Sequence, residues 1–153
     1  MSKFNLGALS TATVEDATFD VELVHPVKGP TDLVIRVIGL HNSNVRALRD
    51  AQANDMLRQN FEAQRKGKSV PLTVEAGAKR NAKLLAAATV GWFSREEAKA
   101  GAKPKIEQGM PFGETRLMFS VEEAERLYSD PAYDWLTAQV DEAVGELANF
   151  MKS

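Results

Sequence analysis

The chain has no cysteine. That excludes disulfides, thiol catalysis and cysteine-ligated zinc, and it fits a reducing, cytosolic setting. Histidine is almost as scarce: His25 and His41 are the only two. Each sits at an expected strand end, with no carboxylate at helical metal-ligand spacing. Turn histidines are the simplest account, and a histidine-based catalytic set or metal site is not expected. No apolar run approaches the roughly 20 residues of a membrane span. The first residues, MSKFNLGALSTATVED, hold Lys3 but no apolar stretch behind it, so they do not read as a secretory signal. Aromatics are sparse at 7%. The only phosphate-loop echo, Gly67-Lys68-Ser69, lacks the first glycine, because Glu62 stands there, and it follows a helix pattern rather than a strand.

What is present is ordinary for a globular protein. The 153 residues are 44% apolar and 26% charged, enough for one domain with a real core. The net charge of −2 hides a gradient along the chain. Residues 1–40 carry −2, residues 41–105 carry +7, and residues 106–153 carry −7. The two oppositely charged regions either face each other, are simply solvated, or act as docking surfaces for charged partners.

Residues 1–17 read as a flexible N-terminal segment and 18–153 as a single α+β domain. FDVELV, residues 19–24, alternates apolar and acidic side chains, and LVIRVIG, residues 33–39, is rich in β-branched residues. The punctuation His25-Pro26 and Gly29-Pro30 between them makes a β-hairpin over 18–39. Helices follow at about 44–66, 74–90, 95–100, 121–129 and 131–151. The first has N-cap candidates at Asn42 to Asn44 and ends at Gly67, and Thr73 caps the second. Ser94 with Glu97 and Ser120 with Glu123 form S-x-x-E capping boxes, and Asp130-Pro131 is an N-cap followed by a proline at the first helical position. Residues 101–116 read as an exposed loop or loose hairpin. The fold class is therefore α+β, an N-terminal β-hairpin followed by a mainly helical domain of four to five helices.

No constellation points to catalysis, so no enzyme, cofactor or metal is expected. Glu122, Glu123 and Glu125 suit the positive end of a helix dipole. Arg58, Arg65, Lys66, Lys68, Lys79, Arg80 and Lys83 could meet nucleic acid, but only Phe61 is interleaved with them and the pI of about 5.7 argues against it. Protein contacts are the remaining reading. The candidate interface residues are Leu57 and Phe61 on helix 44–66, Trp92 and Phe93 after the second helix, and Tyr133 and Trp135 on the last.

Four stretches together resemble the tail assembly chaperones of long-tailed bacteriophages. They are FDVELVHPVKGPTDLVIRVIG (19–39), LLAAATVGWF (84–93), PFGETRLMFSVEEAERLY (111–128) and YDWLTAQVDEAVGELANFM (133–151). They cover a little under half of the chain, in the order that family shows them. The segment from Trp92 to Phe119 departs from the family by being longer and more basic. The resemblance implies a non-enzymatic chaperone of virion morphogenesis. Such proteins bind and solubilise the phage tape measure protein in the host cytoplasm, and help recruit tail tube protein around it. Self-association stays open, and no membrane is involved. The alternative is a structural virion protein: a decoration, adaptor or tail-associated subunit. A small nucleic-acid-binding domain ranks third.

Overall fold

A computed structural model of the chain describes residues 6–10, 14–67, 74–96, 103 and 105–151. The hairpin forms as the alternation requires. Strands β1 (Thr18–His25) and β2 (Gly29–Ile38) pair antiparallel, with Val21 opposite Ile35 and Asp20 opposite Arg36. The His25 ring closes the turn: its Nδ1 accepts the N–H groups of Val27 and Lys28, each at 3.1 Å. Gly29, at φ +80°, takes the backbone angle that a side chain would resist.

Helix α1 (Ser43–Arg65) starts where the capping residues place it. Asn42 Oδ1 accepts from Asn44 N at 3.0 Å and Val45 N at 3.4 Å. The Asn42 amide also donates to Glu15 O, and His41 Nε2 lies 2.8 Å from Val14 O. Val14 and Glu15, expected in a loose N-terminal segment, are thus tied to the start of α1. Gly67, at φ +68°, follows the helix end. Thr73 lies outside the described residues.

The second helix is shorter than expected. α2 runs Val74–Ala87, and Thr89–Glu96 is strand β3, not the end of that helix and the start of another. Ala88 N still bonds back to Leu84 O and Leu85 O, but Ala88 O accepts from Ile38 N at 2.7 Å, which hands the chain from helix to sheet. Thr89, Val90, Trp92 and Phe93 are residue types that fit a pleated surface. β3 then pairs antiparallel with β2, Trp92 opposite Ile35 and Phe93 opposite Val34. The helix expected at 95–100 is contradicted at Arg95 and Glu96, which are strand; residues 97–100 lie outside the described residues. Strand β4 (Lys105–Gln108) completes a sheet of order β1-β2-β3-β4. A small hairpin of β5 (Met110–Phe112) and β6 (Thr115–Leu117) follows. The Arg116 side chain staples it to the sheet, donating to Gln108 O, Glu107 O, Gly109 O and Ser94 Oγ at 2.7–3.1 Å.

α3 (Val121–Ser129) begins at the expected cap, with Ser120 Oγ accepting from Glu123 N at 3.1 Å. The last element is not one helix over 131–151. A 3-10 turn (Pro131–Tyr133) capped by Asp130 precedes α4 (Asp134–Gly145), and a second 3-10 turn (Leu147–Asn149) follows. This break turns Leu147 and Met151 outward and swings Phe150 into the core, edge-on to Phe19 and tilted against His41.

The α+β class thus stands, with more sheet than the hairpin alone. One contiguous core lies between one face of the sheet and the helices, built from Leu23, Ile35, Val37, Leu85, Trp92, Val140 and their neighbours. Among the described residues the other sheet face buries only Val34 and Phe93, under the Arg36 guanidinium 5.3 Å from the Phe93 ring.

Candidate protein-binding surfaces

The six candidate interface residues separate into three groups. Trp92 and Phe93 are core, 1% and 5% exposed, and neither is open to a partner. Trp92 Nε1 donates to Leu117 O at 2.8 Å and its ring meets Phe119 edge-on. The residues that looked like an anchor after a helix are the two faces of a central strand, and pairing with β2 buries both.

Tyr133 and Trp135 are half-buried and packed against the core. Trp135 lies edge-on to His25 with ring centres 5.0 Å apart, so it joins α4 to the hairpin turn. Only part of that aromatic pair faces outward.

Leu57 and Phe61 are the exposed pair, each 66% accessible. They lie four residues apart, one helical turn, on a helix about 34 Å long. Val45 is its one buried residue. Gln52 Nε2 donates to Arg80 O at 3.1 Å, which ties the first half of α1 to α2. Beyond that point the helix carries Leu57 and Phe61 with no core to bury them.

The structure adds a patch that the sequence reading missed. Phe112, Met118 and Val121 are exposed, and Phe112, Leu117, Leu127 and Tyr133 line a recess of about 290 Å³ together with Glu123, Arg126 and Asp130. The β5–β6 hairpin carries Phe112 to α3 and Tyr133. The signal was in the apolar residues of MPFGETRLMF, which a loop does not need.

Three ionisable groups are shifted by their surroundings. Burial pushes the Tyr128 hydroxyl well above its ordinary value, partly offset by its 2.7 Å hydrogen bond with Thr89 Oγ1. Hydrogen bonding to Asp20 raises Arg36. The Ser43 hydroxyl, then its backbone N–H, hold Glu15 below the usual carboxylate value. Burial accounts for the first and hydrogen bonding for the other two. Among the described residues no group of three metal-ligating side chains converges, and no helix is long and apolar enough to cross a membrane. The geometry offers exposed apolar ridges and recesses on a charged background, which suits protein contacts. No family model matches the chain, and neither a curated protein nor a solved structure matches it.

Proposed function

We propose that this chain is a non-enzymatic tail assembly chaperone of a long-tailed bacteriophage. It covers apolar stripes of the tape measure protein in the host cytoplasm and releases them as tail tube protein assembles. The reading rests on the order of the four family-like stretches. The observation that carries it here is the Leu57/Phe61 ridge, an apolar pair held out on a polar helix. A reversible cover for a helical rod needs such a surface, because helix-to-helix contacts use anchors at this spacing.

Co-expression with a phage tape measure protein tests the proposal. A soluble complex that purifies together is expected, and the paired change Leu57→Ser with Phe61→Ser is expected to dissociate it. Two folded, soluble proteins that do not bind would overturn the reading. A virion subunit is the second reading, favoured by the N-terminal 3-10 turn Leu6–Leu9, where Leu6 is 85% exposed. An apolar turn of that kind suits an arm laid on a neighbouring subunit. Mass spectrometry of purified particles separates the two, since a chaperone is absent from them and a subunit is not.

A further inference from the structure

Among the described residues β1 is an outer strand, paired with β2 on one side only. Along a strand the backbone groups alternate in direction, so residues two apart send N–H and C=O the same way. Leu23 O points towards β2, where Thr31 Oγ1 donates to it at 2.7 Å. Val24 points the other way. Gln139 on α4 meets it there: Oε1 accepts from Val24 N at 2.9 Å and Nε2 donates to Val24 O at 2.7 Å. This side-chain amide makes the donor–acceptor pair that a neighbouring strand would make. The register irregularity between Glu22 and Val24 places its extra residues on β2, so the phase along β1 is kept. Asp20 and Glu22 therefore direct their N–H and C=O to the same outer edge as Val24.

A crevice of about 570 Å³ runs beside that edge, between β1 and α4. α4 lines it with Gln139, Glu142 and Ala143 on one helical face, and Glu146 at the helix C-cap continues that line. Asp20 and Glu22 line the strand side, where they pair with Arg36 and Arg95. Glu142 and Glu146 are exposed and have no ion-pair partner among the described residues. The opposite edge of the sheet is closed by comparison: β4 has four residues, and Arg116 takes the carbonyls of Glu107 and Gln108.

We propose that the free edge of β1 accepts an extended, lysine- or arginine-rich segment of a partner polypeptide as a fifth strand, with the α4 stripe beneath it. Strand addition draws affinity from main-chain hydrogen bonds and specificity from the side chains alongside. Here the unpaired carboxylates Glu142 and Glu146 lie below the incoming strand, and Asp20 and Glu22, shared with Arg36 and Arg95, lie above it. The same charges disfavour a second copy, because antiparallel self-pairing of β1 would set Asp20 and Glu22 against their own counterparts. The proposal does not depend on the tape measure reading, which concerns α1.

Amide hydrogen exchange of the isotope-labelled chain tests it, with two capped peptides as probes, one alternating lysine and valine and one alternating glutamate and valine. The Asp20 and Glu22 amides are expected to exchange fast in the free chain. The lysine peptide should slow them about tenfold or more, and the glutamate peptide should leave them unchanged. Glu22→Pro removes an outward N–H without breaking a bond to β2, which an edge strand tolerates. It should weaken binding of the lysine peptide about tenfold relative to Glu22→Ala, which keeps the N–H. Unchanged exchange with the lysine peptide, equal binding by the two variants, or equal binding of the two peptides overturns the proposal. Slow exchange in the free chain that grows with protein concentration also overturns it, by assigning the edge to a second copy. If Glu22→Pro does not fold, exchange in the unsubstituted chain decides alone.

Discussion

A methyl group added at Gly39 would place its carbon 2.5 Å from His41 Nδ1 and 2.8 Å from Phe150 Cδ2. Neither ring can retreat, because His41 is held to Val14 O and Phe150 is fully buried. Gly39→Ala is expected to cost about 1–3 kcal/mol, the usual penalty of overpacking, read as a lower denaturant midpoint. The two tryptophans should differ in the same assay. Trp92→Ala removes a buried ring and its hydrogen bond to Leu117 O, and should cost about 3–5 kcal/mol. Trp135→Ala should cost less, since its ring is half-exposed, and should leave a folded chain whose partner binding can be measured. Glu15 supplies a pH test. Its carboxylate accepts from Ser43, so its folded pKa lies below its ordinary value of 4.5. The stability it adds is present above that ordinary value and is lost as pH falls through the depressed one. An NMR titration should show Glu15 with a midpoint below 4.5, and Ser43→Ala should move that midpoint upward.

At the scale of elements, α1 and β3 behave in opposite ways. α1 is held at its start by Asn42, Glu15 and Val45, and its distal half carries Leu57 and Phe61 in the open. Leu57→Ser with Phe61→Ser should therefore change stability by less than about 1 kcal/mol, as exposed substitutions do. A larger loss in thermal or denaturant unfolding would mean that the ridge is packed in solution. β3 is the reverse: local signals made Ala86 to Val90 look helical, and Ser94 with Glu97 looked like a capping box. The strand exists because β2 offers a partner and because Trp92 fills the space above Ile35. The caps at Asn42, Ser120 and Asp130 were legible, since a capping residue acts on backbone groups two or three residues away. The end of α4 was not. The periodic set Leu136, Val140, Ala143, Leu147 and Met151 continues past Gly145, but the chain turns there so that Phe150 can reach Phe19.

On the scale of the whole molecule, sheet and helices share one core, with Tyr128 of α3 bonded to Thr89 of β3 and Trp92 bonded to β6. No layer has a core of its own, so unfolding is expected as one transition, with tryptophan fluorescence and far-ultraviolet circular dichroism coincident. Separated transitions would show that the helices and the sheet unfold independently. The charge gradient also acquires a place in space. The acidic C-terminal region lines the crevice beside β1 with Glu142 and Glu146, while in the recess near Tyr133 Glu123 is paired with Arg126. The basic middle contributes Arg58 and Arg65 to α1 beside the Leu57/Phe61 ridge. The two regions present surfaces of different charge.

The amino-acid sequence by itself determined the fold class, the first hairpin, the starts of α1 and α3 and the sparse apolar set of α1. Each of these depends on interactions spanning a few residues, or on the period of a single element. Only the tertiary structure decided that Thr89–Glu96 is a strand, that Trp92 and Phe93 are core, that Phe150 rather than Leu147 turns inward, and that β1 keeps an open edge beside α4. Those outcomes are set by pairing and burial between residues far apart in the chain. There the free energy of filling one shared core outweighs local preferences worth about 1 kcal/mol or less per residue.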